Sequence, residues 1–296
     1  MAQKITKTLL IGLGGTGVSA LKYAKKRFFE TYANEEERKN GIANFNIPLV
    51  EYLAIDTSIT ELQSGLPEDD SVKLKPSEYF HASVSNPLSV INGTPSVHDW
   101  MIKKNTDNPE AIVDGAHQVR QYGRLSFMYN YSALKNEIDS KINKLSSYIL
   151  VTDSRYQFLG GPSSNVNVVF CFSVAGGTGS GTFLDIAYLT KSLGAGITSQ
   201  AYLVLPDIFD KEITQAIAKT NIYSNGYAAL RELDYCMENK FNKNLKLTGN
   251  ISIPYTGKPF NLVHLISSNN MEGISYDRQN HILELIGNNI VLKSGS

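Results

Sequence analysis

Gly12, Gly14 and Gly17, in the stretch IGLGGTG at residues 11–17, spell G-x-G-x-x-G. Glycines let backbone N–H groups approach a phosphate closely, and a helix that starts directly afterwards adds free N–H groups and its positive dipole end. This is the chemistry of a dinucleotide fingerprint, and equally of a phosphate loop for another ligand. A second stretch, AGGTGSG at residues 175–181, sets four glycines around Thr178 and Ser180. It reads as a nest of N–H groups with two hydroxyls. A dinucleotide-binding Rossmann unit has one such loop; two of them, roughly 160 residues apart, suit a di- or triphosphate held from two sides. Neither carries the lysine of a G-x-x-x-x-G-K-[ST] cradle, so the common ATPase loop is not the reading.

Both stretches need a strand before them and a helix after them, and the pattern provides both. KTLLIGLG reads as a buried strand and TGVSALKYAKKRFFE as an amphipathic helix. VEYLAID is the next strand, and from about residue 60 to 115 frequent Pro, Ser, Asn and Asp predict an irregular insertion. A long helical pattern follows, QVRQYGRLSFMYNYSALKNEIDSKINKL. VNVVFCFSV then runs as a strand into the second glycine loop and its helix. AYLVLP, NGYAALRELDYCM, FNLVHLIS and YDRQNHILELIGNNIVL continue the alternation of strand and helix. Near-continuous apolar strands alternating with helices predict an α/β fold, a three-layer Rossmann-like parallel sheet with helices on both faces. In such a sheet ligands sit beyond the carboxyl ends of the strands, where both glycine loops fall.

The chain has 296 residues, 42% of them apolar, enough for one large α/β domain or two smaller ones with a sizeable core. Lys plus Arg and Asp plus Glu both number 28, a balance that argues against nucleic acid as the main partner. Cys171 and Cys236 form no C-x-x-C pair, and the five histidines show no metal-ligand spacing, so neither zinc nor a disulfide framework is signalled. No apolar run approaches the ~20 residues that span a bilayer, and the start lacks a signal peptide's longer apolar stretch. A cytoplasmic location is the expectation.

AGGTGSG matches in full the [SAG]-G-G-T-G-[SA]-G signature of the tubulin/FtsZ family, and it is similarly placed between a strand and a helix. With that match, Gly12, Gly14, Gly15, Thr16 and Gly17 resemble the family's first nucleotide loop. Ala175, Gly176, Gly177, Thr178, Gly179, Ser180 and Gly181 resemble its signature loop. YLAIDTSITEL resembles the segment that ends the family's second strand, with Asp56 and Thr57 at the loop. GAHQVRQYGR, residues 115–124, is similar to the loop near the γ-phosphate, which implies contacts from Gly115, Ala116 and Arg120; Arg124 is as well read as an exposed helix position. ISSNN follows a strand as the family's base-reading Asn does, which implies that role for Asn269. YDRQN resembles the helix start where a Tyr stacks on guanine and an Asn four residues later bonds it, so Tyr276 and Asn280 take those roles by resemblance. On one helix face, i and i+4 can meet the same planar ligand.

The resemblance implies a tubulin/FtsZ-type GTPase domain over residues 1–293, with GTP or GDP and Mg2+ as ligands and head-to-tail self-association of the full-length protein. Residues 294–296 read as a tail, left by cloning or ending a shortened relative, with the family's C-terminal domain absent. The family's N-x-D-x-x-D loop, which completes a neighbour's site, does not occur, so no catalytic residue is assigned and little hydrolysis is expected of this chain alone. Two other readings stand beside this one. A Rossmann-type NAD(P) oxidoreductase would explain Gly12 to Gly17 and Asp56, although Asp56 lies well past the ~20-residue spacing of that fingerprint. A pseudo-GTPase scaffold would bind nucleotide without turning it over.

Overall fold

The structure is a computed structural model that describes residues 3–147, 155–158, 165–194, 196–247, 251–269, 272–276 and 278–295. Its centre is a six-stranded sheet. The strands are β1 (Thr8–Leu13), β2 (Val50–Asp56), β3 (Tyr79–His81), β4 (Val166–Ser173), β5 (Ile197–Val204) and β6 (Leu262–Ile266). They lie in the order β6-β5-β4-β1-β2-β3, and every neighbouring pair is parallel. β1 and β2 are buried at every position, as strands covered on both faces must be.

Side chains alternate across the sheet and so feed two cores. Leu9, Ile11 and Leu13, with Val168, Phe170 and Phe172, pack under helices α2 (Arg120–Ser147), α3 (Thr178–Ser192) and α4 (Ala216–Met237). Leu10, Val169 and Cys171 face the other way, onto α1 (Gly14–Tyr32) and α5 (Gln279–Ser294). The three layers therefore match the fold expected from the alternating pattern. Cys171 and Cys236 are free and buried, and burial pushes both thiols above their ordinary pKa. Among the described residues no helix is long and apolar enough to cross a membrane.

The sheet changes direction of growth between β1 and β4. β1 leads through α1 to β2 on one side, whereas β4 leads through α3 to β5 on the other. The two glycine loops are the turns that leave β1 and β4, so both open at this switch point. The insertion is less irregular than its composition implies. It holds short helices, Ile59–Gln63, Pro87–Gly93 and Lys103–Asp107, and supplies the edge strand β3. Two smaller pairings also lack a sequence signal: Gln3–Ile5 with Tyr156–Phe158, and the antiparallel pair Lys243–Lys246 with Ser252–Tyr255.

The first loop is built on close backbone packing. A Cβ on Gly17 would collide with the carbonyl oxygen of Cys171 in β4, and one on Gly12 would lie 2.5 Å from the carbonyl oxygen of Gly17. These two glycines let α1 sit directly on the sheet. Gly17→Ala should therefore lower stability by about 1–2 kcal/mol, because overpacking (~1–3 kcal/mol) outweighs the helix gain (~0.5–1 kcal/mol). Gly93→Ala, at a helical site with open space around the new methyl, should be neutral or stabilising by up to ~1 kcal/mol. Urea unfolding of both variants checks the pair, and a neutral Gly17→Ala would contradict the packing argument.

Candidate functional site

A cavity of about 670 Å3 lies at the switch point, beyond the carboxyl ends of β1, β2 and β4. Gly14, Gly15, Thr16 and Ser19 line it from the start of α1, and Gly176, Gly177, Thr178 and Gly179 from the start of α3. Gly14 joins strand to helix at φ 69°, a left-handed conformation that favours glycine. Its missing Cβ would stand 3.1 Å from the backbone nitrogen of Gly179, so the two loops touch backbone to backbone. A Cβ on Gly176 would meet nothing within 4 Å, which leaves that residue bare towards the cavity. Ser173 shapes the second loop by donating to Val204 O (3.2 Å) and accepting from Ala175 N (3.0 Å). Thr57 and Thr178 link the end of β2 to that loop through their hydroxyls at 2.8 Å.

Among the described residues the lining carries three carboxylates, Asp56, Glu61 and Asp114, and no Lys or Arg. Two helix N-termini favour an anion by only ~0.3–1 kcal/mol each, up to ~2 in partly buried geometry. One carboxylate ~6 Å from a phosphate opposes it by on the order of 3 kcal/mol at an effective dielectric of ~20. A polyphosphate is thus welcome here only with a cation of its own. Among the described residues no group of three or more His, Cys, Asp or Glu is arranged to hold a metal ion. That donor set fits Mg2+ brought on the phosphates, which keeps several waters and takes one or two carboxylates from the protein. Asp56 is 3% exposed, and burial raises its pKa from 3.8 to about 6 although Thr57 N donates to Oδ1 at 2.7 Å.

The sequence-predicted residues separate into those that line the cavity and those that support it. Gly14, Gly15, Thr16, Asp56, Gly115, Gly176, Gly177, Thr178, Gly179 and Asn280 line it. Gly12 and Gly17 pack α1 onto the sheet, and Thr57, Ala116 and Ala175 are buried behind the lining. Ser180 turns back to donate to Gly176 O. Gly181 and Arg120 lie on the far side of α3, where Arg120 donates to Ser180 O (2.9 Å from Nη2) and grips Glu232 with both terminal nitrogens. Arg120 is therefore engaged away from the cavity. Tyr276 precedes α5, which starts at Gln279, so Tyr276 and Asn280 do not share a helix face as the i, i+4 spacing suggested. Tyr276 packs against the core, and its N–H donates to Ser268 O at 2.8 Å; Asn269 is exposed on the same loop.

Several residues enter that no motif signals. Ser58 donates to Asp114 at 2.8 Å and ties the end of β2 to the loop before α2. In that loop Gly115, His117 and Gln118 all have positive φ. Asn225 on α4 donates through Nδ2 to Gln118 O (2.8 Å) and Ala175 O (2.9 Å), clamping two cavity loops together. Asp207, just after β5, accepts from Ser267 Oγ, Ser268 N and Ser268 Oγ at 2.6–2.8 Å and so fixes the loop that carries Asn269.

A family model described as "Tubulin like" matches residues 9–296. No curated protein matches the chain significantly. Among solved structures, CetZ from Methanosaeta thermophila strain DSM 6194 is similar at TM-score 0.55 and 14% identity, covering 98% of this chain and 54% of its own. CetZ2 from Haloferax volcanii, in a GTPγS-bound protofilament, is similar at TM-score 0.51 and 14% identity, covering 98% and 58%. The chain thus spans little more than half the length of these structures, and the likeness concerns the fold.

The raised pKa of Asp56 has a definite sign. The folded chain binds more protons than the unfolded one between pH 3.8 and about 6, so stability falls as pH rises through that window. Asp56→Asn should stabilise the ligand-free protein at pH 7.5 by on the order of 2 kcal/mol and converge with wild type below about pH 4. Urea midpoints at the two pH values test this; equal midpoints for both proteins at pH 7.5 would refute it.

Proposed function

This chain belongs to the tubulin-like family, and from that premise we propose that the switch-point cavity binds a guanine nucleotide, GTP or GDP, with Mg2+. The observation that carries the reading is the pair of helix N-termini, α1 and α3, opening onto one cavity through two glycine-rich loops. In this reading Gly14, Gly15, Thr16 and the backbone of 176–179 hold the phosphates. Gly115 and Ala116 belong to the loop that closes on the outermost phosphate. Asp56 and Thr57 stand beside the cation, whose chemistry is to neutralise the phosphate oxygens.

The amides of Gln279 and Asn280, which line the cavity, offer the paired donor and acceptor that a guanine edge needs. Asn269 and Tyr276 complete the base site from the loop beside them. An NAD site would use the first loop and Asp56 but would leave residues 175–181 without a task. Phosphoryl transfer needs a group that places the attacking water, and we assign that role to no lining residue. Head-to-tail self-association of a longer protein is the natural extension, a heterologous contact of the kind that propagates into filaments. CetZ2, in its protofilament, is an example with the same fold. A cytoplasmic location goes with this role.

Calorimetric titration of the chain with GTP, GDP, ATP and NAD, with and without Mg2+, tests the proposal. GTP and GDP should bind with Mg2+ present and NAD should not. Gly176→Leu should abolish binding with the circular dichroism spectrum unchanged, because its side chain grows into the open cavity rather than into the fold. NAD binding without guanine-nucleotide binding, or no nucleotide binding at all, would overturn the reading.

A further inference from the structure

The far side of α3 holds a second cavity, about 460 Å3, enclosed by α2, α3, α4 and the pair Lys243–Lys246 with Ser252–Tyr255. Aromatic rings, Trp100, Tyr235, Phe241 and Tyr255 among them, share its walls with charged side chains. Two arginines enter this wall. Arg120 is satisfied by Glu232 and by Ser180 O. Arg124 is not: its guanidinium stacks on Trp100 at 4.9 Å, yet among the described residues it makes no hydrogen bond, and its buried Nε has no hydrogen-bond partner.

The nearest countercharge to Arg124 is Asp185, with Oδ2 at 3.5 Å from Nε, too far for a good hydrogen bond. Asp185 is 3% exposed, and its Oδ1 accepts from Tyr255 Oη at 2.6 Å. Burial raises the pKa of this carboxyl, and the nearby Arg124 guanidinium pulls it back down. A guanidinium has five donors in a rigid fork suited to a planar or tetrahedral oxyanion. One held against an indole, beside further aromatic rings and without a hydrogen-bonding partner, is a prepared anion receptor.

We propose that this cavity is a second ligand site, separate from the nucleotide cavity, for a small organic anion with a planar apolar body, such as an aromatic carboxylate or sulfonate. The anionic group takes the terminal Nη donors of Arg124, and the rings take the aromatic wall. A volume of 460 Å3 suits a ligand of one or two fused rings. Glu232, half-exposed and paired with Arg120, sits at the rim and opposes a second contact to the anion.

Fluorescence titration with 1-anilinonaphthalene-8-sulfonate tests the site on the whole chain without any nucleotide, so its outcome is independent of the reading above. Saturable binding at one site is expected. Arg124→Gln should weaken it at least tenfold. Glu232→Gln, which changes only a half-exposed side chain, should tighten it several-fold by releasing Arg120. Gly176→Leu should leave it unchanged. The uncharged analogue N-phenyl-1-naphthylamine should bind at least tenfold more weakly than the sulfonate. If Arg124→Gln fails to fold, Glu232→Gln and the uncharged analogue decide. No saturable binding, binding insensitive to Arg124 or Glu232, equal affinity for the uncharged analogue, or loss of dye in Gly176→Leu would each overturn the proposal.

Discussion

Everything at the switch point depends on backbone meeting backbone. Where the loop after β1 passes the loop after β4, Gly14 and Gly179 are in direct main-chain contact, and Gly17 lies against the carbonyl of Cys171. Side chains at these positions would push the helices outwards and separate the two N-termini. Because they stay close, the positive ends of α1 and α3 act on one volume of about 670 Å3 rather than on two. The same tightness continues behind the cavity, where a Cβ on Gly177 would stand 2.8 Å from Ala116 O. The signature glycines thus do two jobs: Gly176 bares the main chain to the cavity, while Gly12 and Gly17 seat α1 on the sheet and Gly181 lets α3 approach α2.

The central strands were legible in the sequence because they are buried on both faces and so read as unbroken apolar runs. VEYLAID corresponds to β2 residue for residue. β3 was not legible, since a three-residue edge strand within a polar insertion has too little apolar content to mark it. Both glycine loops were placed at their cavity because local chemistry and local structure coincide there. Arg120 shows the opposite case. Its position in the chain suggested phosphate, but a helix presents each side chain to one side only, and the rotation of α2 turns Arg120 to Glu232. The helix face expected to be shared by Tyr276 and Asn280 is lost for a related reason, as α5 starts three residues later than its periodicity allowed. Asn225 and Asp207 act by bonding backbone or hydroxyl groups far away in sequence, and nothing in their neighbourhood announces that.

α3 divides the electrostatics of the molecule. On one side of its first turn lies a cavity whose charged groups are all carboxylates; on the other, arginines and carboxylates stand in pairs among aromatic rings. Ser180 belongs to the second by position and to the first by its hydroxyl, which reaches back to Gly176. Arg120 holds the carbonyl of the same residue. Two chemically unlike chambers therefore share one turn of backbone.

The buried carboxyl of Asp56 has a consequence for how the first chamber is filled. In the ligand-free chain it is largely protonated below about pH 6. An Mg2+-nucleotide seated as proposed would favour the ionised form, and the displaced proton would leave to solvent. Capture at mildly acidic pH is then an exchange of a proton for a cation. Its observed heat would vary with the ionisation enthalpy of the buffer, and its apparent affinity would climb with pH until Asp56 is ionised before the ligand arrives.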